Sequence, residues 1–283
     1  IVFGDWSSDV CSSDLVDPRV MSADSDLATT SGLEQGVGYV DNRRAINVGI
    51  AEANMMCVGE AYAALGYNAW VSTFSPFFDW KVLRRIAVSH QERLEAIEAK
   101  NGWLAAGHGL DLTFLATAPN LETKTNGATH MGNDDSLVYD GVAHLKIIDA
   151  SCPQLVLGIV KWIMEGNKGL VYLRILRSGT PVLYGKDYKF EYGKAYTLRE
   201  GKDLFIVSAG HGVYEALAAA DILEKSGVHA SVIDMPSVDE KEIGRLYDSG
   251  KKVIIAEQNN GYLWNHFRKT LFSRKHIDTG NLL

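Results

Sequence analysis

Short apolar runs alternate with longer amphipathic stretches from about residue 16 onward. The short runs predict β-strands in the first two thirds of the chain, at residues 44–48, 69–74, 112–117, 146–149 and 170–175. The stretches between them predict helices at residues 51–65, 77–90 and 153–164. Gly66 marks a helix end, and Pro76 and Pro153 suit a first helical turn. This alternation indicates a mostly parallel sheet covered on both faces.

A second unit begins near residue 190. Its pattern predicts strands and helices in strict alternation, at residues 204–208, 214–225, 230–235, 239–247, 252–256 and 262–272. Three strand–helix pairs in so short a segment indicate a small open α/β domain. The predicted fold class is α/β, with two open, mostly parallel sheets and helices on both faces. We expect domains at residues 16–180 and 193–283, joined by a linker at 181–192.

The first fifteen residues, IVFGDWSSDVCSSDL, differ from the rest of the chain. They repeat Ser-Ser-Asp and show no sustained hydrophobic period. Two interpretations stay open: a disordered N-terminal tail, or a non-native segment that resembles translated adapter sequence. Residues 1–15 are therefore expected to lie outside both domains.

Composition narrows the class of protein. The chain has 283 residues, of which 46% are hydrophobic and 22% charged, so whole-chain disorder is excluded. A net charge of −7 argues against a dedicated nucleic-acid binder. Three scattered cysteines are too few for a disulfide framework or a structural zinc site. Without a long apolar run or an export signal, a cytoplasmic protein is expected.

Two segments in the first domain carry candidate chemistry. Glu52 stands almost alone in INVGIAEANMM, at a strand-to-helix junction. A carboxyl group in an apolar setting can hold or share a proton, but a solvated glutamate also favours the first turn of a helix. The segment VSTFSPFFDW holds the aromatic residues Phe74, Phe77, Phe78 and Trp80. Such a cluster forms either part of a core or a wall around a flat heterocycle.

Three further segments have both a functional and a structural interpretation. His130 follows a strand in the loop TNGATHMGNDD and is either an acid/base candidate or merely exposed. The segment YLRILR ends a strand with two arginines, one of which can be structural while the other binds an anionic group. The turn SAGHG at residues 208–212 is either a ligand site or a tight turn. The sequence contains no Walker loop and no HExxH motif.

Five segments follow one another in this order: INVGIAEANMM, VSTFSPFF, NGATHMGNDD, VYLRILRSG and IVSAGHGVYEAL. Together they resemble the C-terminal half of a transketolase, from about Ser22 to Phe272. The resemblance implies the pyrimidine-binding and C-terminal domains of a thiamine-diphosphate enzyme of the pentose phosphate pathway. No Gly-Asp-Gly with a following Asn, the family's diphosphate and metal signature, is present. The chain therefore resembles the second subunit of a split transketolase, or a fragment of a whole one.

The resemblance also implies roles for individual residues and for a partner. Glu52 would hydrogen-bond a nitrogen of the cofactor's pyrimidine ring and favour the tautomer that removes the C2 proton. His130 would meet the substrate oxygen, and Arg177 the sugar phosphate. The remaining implied contacts are to the cofactor from Asp26, Leu27, Phe74, Phe77 and Trp80, and to the substrate from Thr30. A partner subunit with the diphosphate-binding domain would hold most of the Mg²⁺ coordination in an oligomer.

Two positions depart from the family pattern. Ala118 stands where many transketolases have a second substrate histidine, and Asn126 where an aspartate commonly contacts a substrate hydroxyl. A lost substrate hydrogen bond costs about 1–3 kcal/mol, which is enough to change a preference among sugars. The alternatives are a β subunit of a thiamine-dependent 2-oxo acid dehydrogenase, a deoxyxylulose-phosphate synthase fragment, and a non-catalytic transketolase-like binding protein.

Overall fold

The computed structural model describes residues 17–27, 31–105, 107–121, 126–177, 179–185 and 187–274. The terminal segment 1–15 and Thr30, both singled out by the sequence, lie outside the described residues. The chain divides into two compact units, Ile1–Phe190 and Glu191–Leu283. Each unit contains its own sheet.

The first unit has a six-stranded sheet in the order β2-β1-β3-β4-β6-β5, and every neighbouring pair is parallel. Its strands are β1 (Val20–Asp24), β2 (Ala45–Asn47), β3 (Asn68–Phe74), β4 (Leu112–Thr117), β5 (Leu145–Asp149) and β6 (Leu170–Ile175). Its α-helices are α1 (Leu33–Val40), α2 (Glu52–Ala64), α3 (Trp80–Ala99), α4 (Asp135–Tyr139) and α5 (Pro153–Met164). Because the strands are parallel, all their carboxyl ends meet at one edge of the sheet.

The second unit has a four-stranded sheet in the order β10-β8-β9-β7. Three strands are parallel, and β7 runs antiparallel to β9 at one edge. The strands are β7 (Tyr196–Arg199), β8 (Leu204–Ser208), β9 (Ala230–Asp234) and β10 (Lys252–Ala256), and the helices are α6 (Gly212–Lys225), α7 (Glu240–Asp248) and α8 (Tyr262–Arg274). The predicted α/β class with two open, mostly parallel sheets is confirmed.

The central strands of the first sheet are buried along their whole length. Every residue of β3, β4 and β6 is buried, because helices cover both faces of a parallel sheet. On one face, Leu155 and Ile159 of α5 pack with Leu173 of β6 in a common core. Phe190, from the segment expected to be a linker, is also buried in that core.

The start of α3 differs from the prediction. Pro76 lies in a short 3₁₀ helix, Ser75–Phe77, and α3 itself begins at Trp80. The Asp79 side chain accepts hydrogen bonds from the backbone N–H groups of Lys81 and Val82, at 2.9 and 3.0 Å. An aspartate in this position is a strong N-cap, so it fixes where the helix begins.

In the described ranges, no helix is both long enough and apolar enough to cross a bilayer.

Candidate active site at the carboxyl edge of the first sheet

Four of the side chains that the sequence singled out lie together at the carboxyl edge of the first sheet. The ring centroid of His130 is 5.1 Å from that of Phe77 and 5.8 Å from that of Phe74. Phe74 and Phe77 are themselves 5.8 Å apart, and the Arg177 guanidinium carbon lies 5.6 Å from the centre of the Phe74 ring. Phe74 is buried, while the other three are half-buried. The cluster therefore has an apolar base and an accessible polar side.

His130 is held by its own loop. It ends a short 3₁₀ helix, Ala128–His130, and its backbone N–H donates to the Gly127 carbonyl at 3.1 Å. Its Nδ1 lies 2.8 Å from the Thr129 hydroxyl oxygen. With Nδ1 engaged in this way, Nε2 is the ring atom that has no hydrogen-bond partner among the described residues. Nε2 is thus available to an external ligand.

The other two aromatic residues of the same segment have different surroundings. Phe78 is buried and packs edge-on against Phe114 and Tyr172, at 5.8 and 5.6 Å between ring centroids. It is a core residue. Trp80 is 50% exposed at the start of α3 and makes no ring contact with the His130 cluster in the described part of the chain. Its role as a cofactor contact stays a prediction.

A fully buried arginine lies beneath this cluster. Arg174, on β6, has no exposed surface. Its Nε donates to Asp135 at 3.0 Å, one terminal nitrogen to Asp149, and the other to the Asn120 side chain at 2.6 Å. The same nitrogen reaches the Gly132 carbonyl at 3.2 Å. Arg174 is therefore the structural arginine of the YLRILR segment.

The Arg174 network links the loops that carry the candidate residues. Burial alone would disfavour the charged guanidinium, but Asp135 and Asp149 outweigh it and raise the pKa of Arg174. The Tyr172 hydroxyl donates to Asp135 at 2.7 Å and lies 3.2 Å from the Ser75 carbonyl. The loop after β3 is thus tied to the start of α4. Sequence analysis missed Asp135, the first residue of α4, and Asp149, the last residue of β5.

Gly132 allows the loops after β3 and β4 to approach each other. A Cβ at this position would lie 2.0 Å from the Ser75 hydroxyl oxygen and 3.1 Å from Cδ of Pro76. The Gly132 carbonyl also accepts the Asn120 backbone N–H at 2.7 Å. No larger residue fits without moving the segment that carries Phe77. The glycine of the HMGNDD segment is thus a packing requirement of the site.

The loop after β1 depends on an aspartate that the sequence analysis did not single out. Asp24 is 2% exposed, and one of its carboxylate oxygens accepts the backbone N–H of Leu27. Its other oxygen, Oδ2, is buried without a hydrogen-bond partner among the described residues. Burial raises the pKa of Asp24 to about 6. Between Asp24 and Leu27, Asp26 has a left-handed backbone with φ of 63°. The hydrogen bond from Leu27 to Asp24 therefore closes the turn that presents Asp26 and Leu27.

Glu52 lies at the same edge of the sheet. It is the first residue of α2, which follows β2, and β1 separates β2 from β3 in the sheet. The side chain is half-buried and makes no hydrogen bond or ion pair with the described residues. Neighbouring Ile50 is 83% exposed. The carboxylate is thus available for a partner from outside the described part of the chain.

The two departures from the family pattern occupy different environments. Ala118 is fully buried just past β4 and has a left-handed backbone with φ of 50°. Asn126 is exposed. The buried methyl group of Ala118 gives a substrate no polar contact.

The glycine-rich turn of the second unit is explained by packing. A Cβ on Gly212 would lie 2.4 Å from the Ser208 hydroxyl oxygen and 2.8 Å from the Ala256 carbonyl oxygen. The Ser208 hydroxyl donates to the same Ala256 carbonyl at 2.5 Å. These contacts favour the tight-turn interpretation of SAGHG.

The donor set at the carboxyl edge fits part of a large cofactor. Phe77 offers an aromatic face, and His130 offers a ring nitrogen. Glu52 adds a carboxylate that is unpaired among the described residues, and together these groups suit a nitrogen heterocycle. Among the described residues, no group of three or more His, Cys, Asp or Glu side chains could hold a metal ion. The described side chains therefore fit a flat, nitrogen-containing ring.

Comparison with known proteins gives two domain families. Residues 12–181 match the family described as "Transketolase, pyrimidine binding domain", and residues 193–262 match "Transketolase, C-terminal domain". The 6-deoxy-6-sulfo-D-fructose transketolase subunit SqwH of Clostridium sp. (strain MSTE9) is 28% identical over 252 residues, covering 85% of this chain and 70% of the relative.

A second relative and a solved structure match to different extents. The pyruvate dehydrogenase E1 component subunit beta of Bacillus subtilis (strain 168) is 32% identical over 120 residues, covering 40% of this chain and 37% of the relative. The solved structure described as "Split gene transketolase, inactive beta4 tetramer" superposes with a TM-score of 0.71 at 24% identity, covering 96% of this chain and 84% of that one. This last likeness shows a common fold.

Proposed function

Because the chain belongs to the transketolase family, we propose that it is one subunit of a thiamine-diphosphate-dependent transferase that moves a two-carbon ketol unit between sugar phosphates. The observation that carries this proposal is the grouping of His130, Phe74, Phe77 and Arg177 at the carboxyl edge of the first sheet, which also carries Glu52. These side chains provide an acid/base group, an apolar wall, a cation and a carboxyl group. A site that binds a ring cofactor and an anionic sugar requires such groups.

The side chains near the cofactor ring have separable tasks. Thiamine diphosphate, when bound, supplies the thiazolium carbon that breaks and re-forms the carbon–carbon bond of the substrate. Glu52 would hold a proton between its carboxyl oxygen and a nitrogen of the pyrimidine ring. Phe74 and Phe77 would cover that ring and exclude water, which strengthens the hydrogen bond at Glu52. Asp26 and Leu27, presented by the Asp24 turn, would bound the ring on the side of β1.

His130 and Arg177 would act on the sugar. His130 Nε2 would hydrogen-bond the substrate carbonyl or hydroxyl oxygen, whose charge changes during the reaction. Arg177, which has the Phe74 ring beneath its guanidinium, would bind the phosphate group. We therefore expect His130→Ala to lower mainly kcat, and Arg177→Ala to raise mainly KM for phosphorylated sugars.

A partner chain would complete the site. The diphosphate carries two to three negative charges, which call for Mg²⁺ and fixed donors. The described residues fit the ring alone, so we propose that an N-terminal transketolase subunit holds the diphosphate and Mg²⁺. Ile50, 83% exposed, and Trp80, 50% exposed, flank the candidate site and would be covered in that complex. The relative SqwH is likewise named a subunit.

The experiment that tests the proposal is calorimetric titration of thiamine diphosphate with Mg²⁺. The isolated chain should bind in the millimolar range or weaker, because it buries a single small ring at ~25 cal/mol per Å². Adding the N-terminal transketolase chain should tighten binding sharply. A micromolar dissociation constant for the isolated chain would contradict the two-chain site.

Glu52→Gln provides the chemical test in the reconstituted complex. Exchange of the cofactor's C2 proton, followed by NMR, should slow by about 10²–10⁴-fold, since that is the usual contribution of an acid/base contact. The matched control is Glu60→Gln, which lies in the same helix and pairs with Arg85. Exchange at the parental rate in Glu52→Gln would remove Glu52 from the proposed role.

One alternative is favoured by a specific observation. The similarity to the pyruvate dehydrogenase β subunit supports a β subunit of a 2-oxo acid dehydrogenase, but it covers 40% of the chain against 85% for the transketolase subunit. We therefore rank ketol transfer first. Decarboxylation of pyruvate by the reconstituted complex, without transfer between sugar phosphates, would reverse that order.

A further inference from the structure

A polar cavity of about 760 Å³ lies at the end of the first sheet opposite the candidate active site. Its walls include Asn68, the first residue of β3, Lys146, the second residue of β5, and Gly169, which immediately precedes β6. The strands of a parallel sheet all begin at this edge, so the cavity is separated from the carboxyl edge by the length of the strands, ~20 Å. A cavity of this volume is large enough for a small metabolite.

His90 provides a directed donor in this cavity. The side chain, on α3, is 5% exposed, and its Nδ1 accepts the backbone N–H of Leu110 at 2.9 Å. Burial, together with the nearby His144, Lys146 and Arg93, lowers the pKa of His90 to about 4. The ring is therefore neutral near pH 7, and its single proton is on Nε2. Within the described residues, that N–H has no hydrogen-bond partner.

Gly169 marks the space that this donor faces. A Cβ built on Gly169 would lie 3.3 Å from His90 Nε2 and 3.6 Å from Lys146 Nζ. The two nitrogens, from different elements, thus approach the same point above the glycine. Gly109 keeps the flank of the ring clear, because a Cβ there would lie 2.9 Å from His90 Cε1.

Lys146 is the cation closest to that point. Its Nζ donates to the Lys168 carbonyl oxygen, and it has no carboxylate within ion-pair distance in the described part of the chain. At least one of its three donor positions stays available.

The other lysine and arginine side chains around the cavity are already paired. Arg19 pairs with Asp17 at 2.8 Å, and Lys168 pairs with Glu165 at 2.9 Å. The Asp111 carboxylate accepts two backbone N–H groups from the loop before β6, at 3.0 and 3.1 Å. The Asp111 charge acts on Lys146 from a distance without an ion pair. The hydrogen-bond donors nearest the point above Gly169 are therefore the His90 N–H and the Lys146 ammonium.

We propose that this cavity binds a small phosphorylated metabolite, with its phosphate group above Gly169 on His90 Nε2 and Lys146 Nζ. A tetrahedral phosphate accepts hydrogen bonds from donors that approach in different directions, and lysine serves phosphate as a point charge. A planar carboxylate is better matched by the fork of an arginine, and the arginine of this cavity is paired with Asp17. The rest of the cavity leaves room for the body of the metabolite.

The test is a titration of the full chain followed by the imidazole ¹⁵N resonances of His90. Glycerol 3-phosphate and inorganic phosphate should each move the Nε2 signal in a saturable way. Glycerol, and sodium chloride at equal ionic strength, should not. Lys146→Met should weaken the phosphate affinity about tenfold or more, because a charge-assisted hydrogen bond is lost. Lys161→Met, an exposed lysine on α5, is the matched control and should leave the affinity unchanged.

Two results would overturn the proposal. An Nε2 shift that follows ionic strength alone would mean that the cavity holds no specific anion. Saturation by acetate at the same concentration as by phosphate would contradict the phosphate assignment. The titration of the parental chain decides both points, even if Lys146→Met does not fold.

Discussion

Removing the guanidinium of Arg174 is the most informative single perturbation of the first unit. Arg174→Met keeps the length and the apolar stem of the side chain while removing all its donors. It leaves Asp135 and Asp149 buried without their common cation, and the Asn120 side-chain oxygen without the donor that Arg174 supplied. The predicted consequence is a large loss of stability together with loosening of the loop that carries His130.

The magnitude follows from burial. Breaking a fully buried ion pair by removing one partner costs about 3–5 kcal/mol, because a charge stays buried without compensation. Arg174 has no exposed surface and pairs with two carboxylates, so the upper half of that range is expected. Part of the cost is recovered if a carboxylate takes up a proton. The deficit relative to the parental chain should therefore be smaller at about pH 5 than at about pH 7.5.

Urea unfolding followed by tryptophan fluorescence measures this loss. Trp70 is 2% exposed in the first unit, whereas Trp264 in the second unit is 54% exposed, so the emission change reports mainly on the first unit. The matched control is Arg85→Met, which breaks a surface pair with Glu60 and changes a side chain that is 52% exposed. Such pairs contribute about 0–1 kcal/mol. Hydrogen exchange of residues 126–135 should be faster in Arg174→Met and parental in Arg85→Met.

Similar losses of unfolding free energy in the two variants would contradict the role of the buried ion pairs. Strong destabilisation of Arg174→Met with unchanged hydrogen exchange of residues 126–135 would contradict the predicted loosening of the loop. In that case the arginine stabilises the sheet without positioning the His130 loop.

Two further changes test other parts of the same edge. The pKa of Asp24 is raised from 3.8 to about 6, so its carboxylate opposes folding increasingly as the pH rises through this window. Asp24→Asn keeps an acceptor for the Leu27 N–H. It should add about 1–3 kcal/mol to the free energy of unfolding near pH 7.5 and nothing near pH 3.5. An equal gain at both pH values would contradict this assignment. Gly132→Ala should cost about 1–3 kcal/mol in the same assay by displacing Ser75. Gly141→Ala, whose Cβ meets no atom within 4 Å, should be near neutral, and equal losses in the two would remove the packing argument.

The sequence predicted most accurately the strands that are buried on both faces and mostly apolar. The strands Leu112–Thr117 and Leu170–Ile175 agree with the prediction at both ends, because a strand covered on two faces is mostly apolar. The sequence pattern missed two strands. The strand Tyr196–Arg199 is a partly exposed edge strand, which needs no apolar run. The strand Val20–Asp24 is wholly buried, but its run VMSAD includes Ser22 and Asp24, and the helix Leu33–Val40 after it was also missed. Helix α3 extends to Ala99, beyond the predicted end, along a polar stretch that the apolar period does not mark. Local pattern therefore marks a buried strand when its residues are mostly apolar and misses it when they are polar.

In the candidate site, the order of the strands explains which residues the sequence predicted and which it did not. Phe74 ends β3, and His130 and Arg177 follow β4 and β6. These strands are neighbours in the sheet, so their ends converge. The sequence does not reveal that β6 lies between β4 and β5. That position allows Arg174 to reach Asn120 beyond β4 on one side and Asp149 at the end of β5 on the other. Arg177 lies two residues past the strand, where no neighbouring strand covers it. The distinction between the buried arginine and the accessible one therefore follows from strand order, which no local pattern in YLRILR contains.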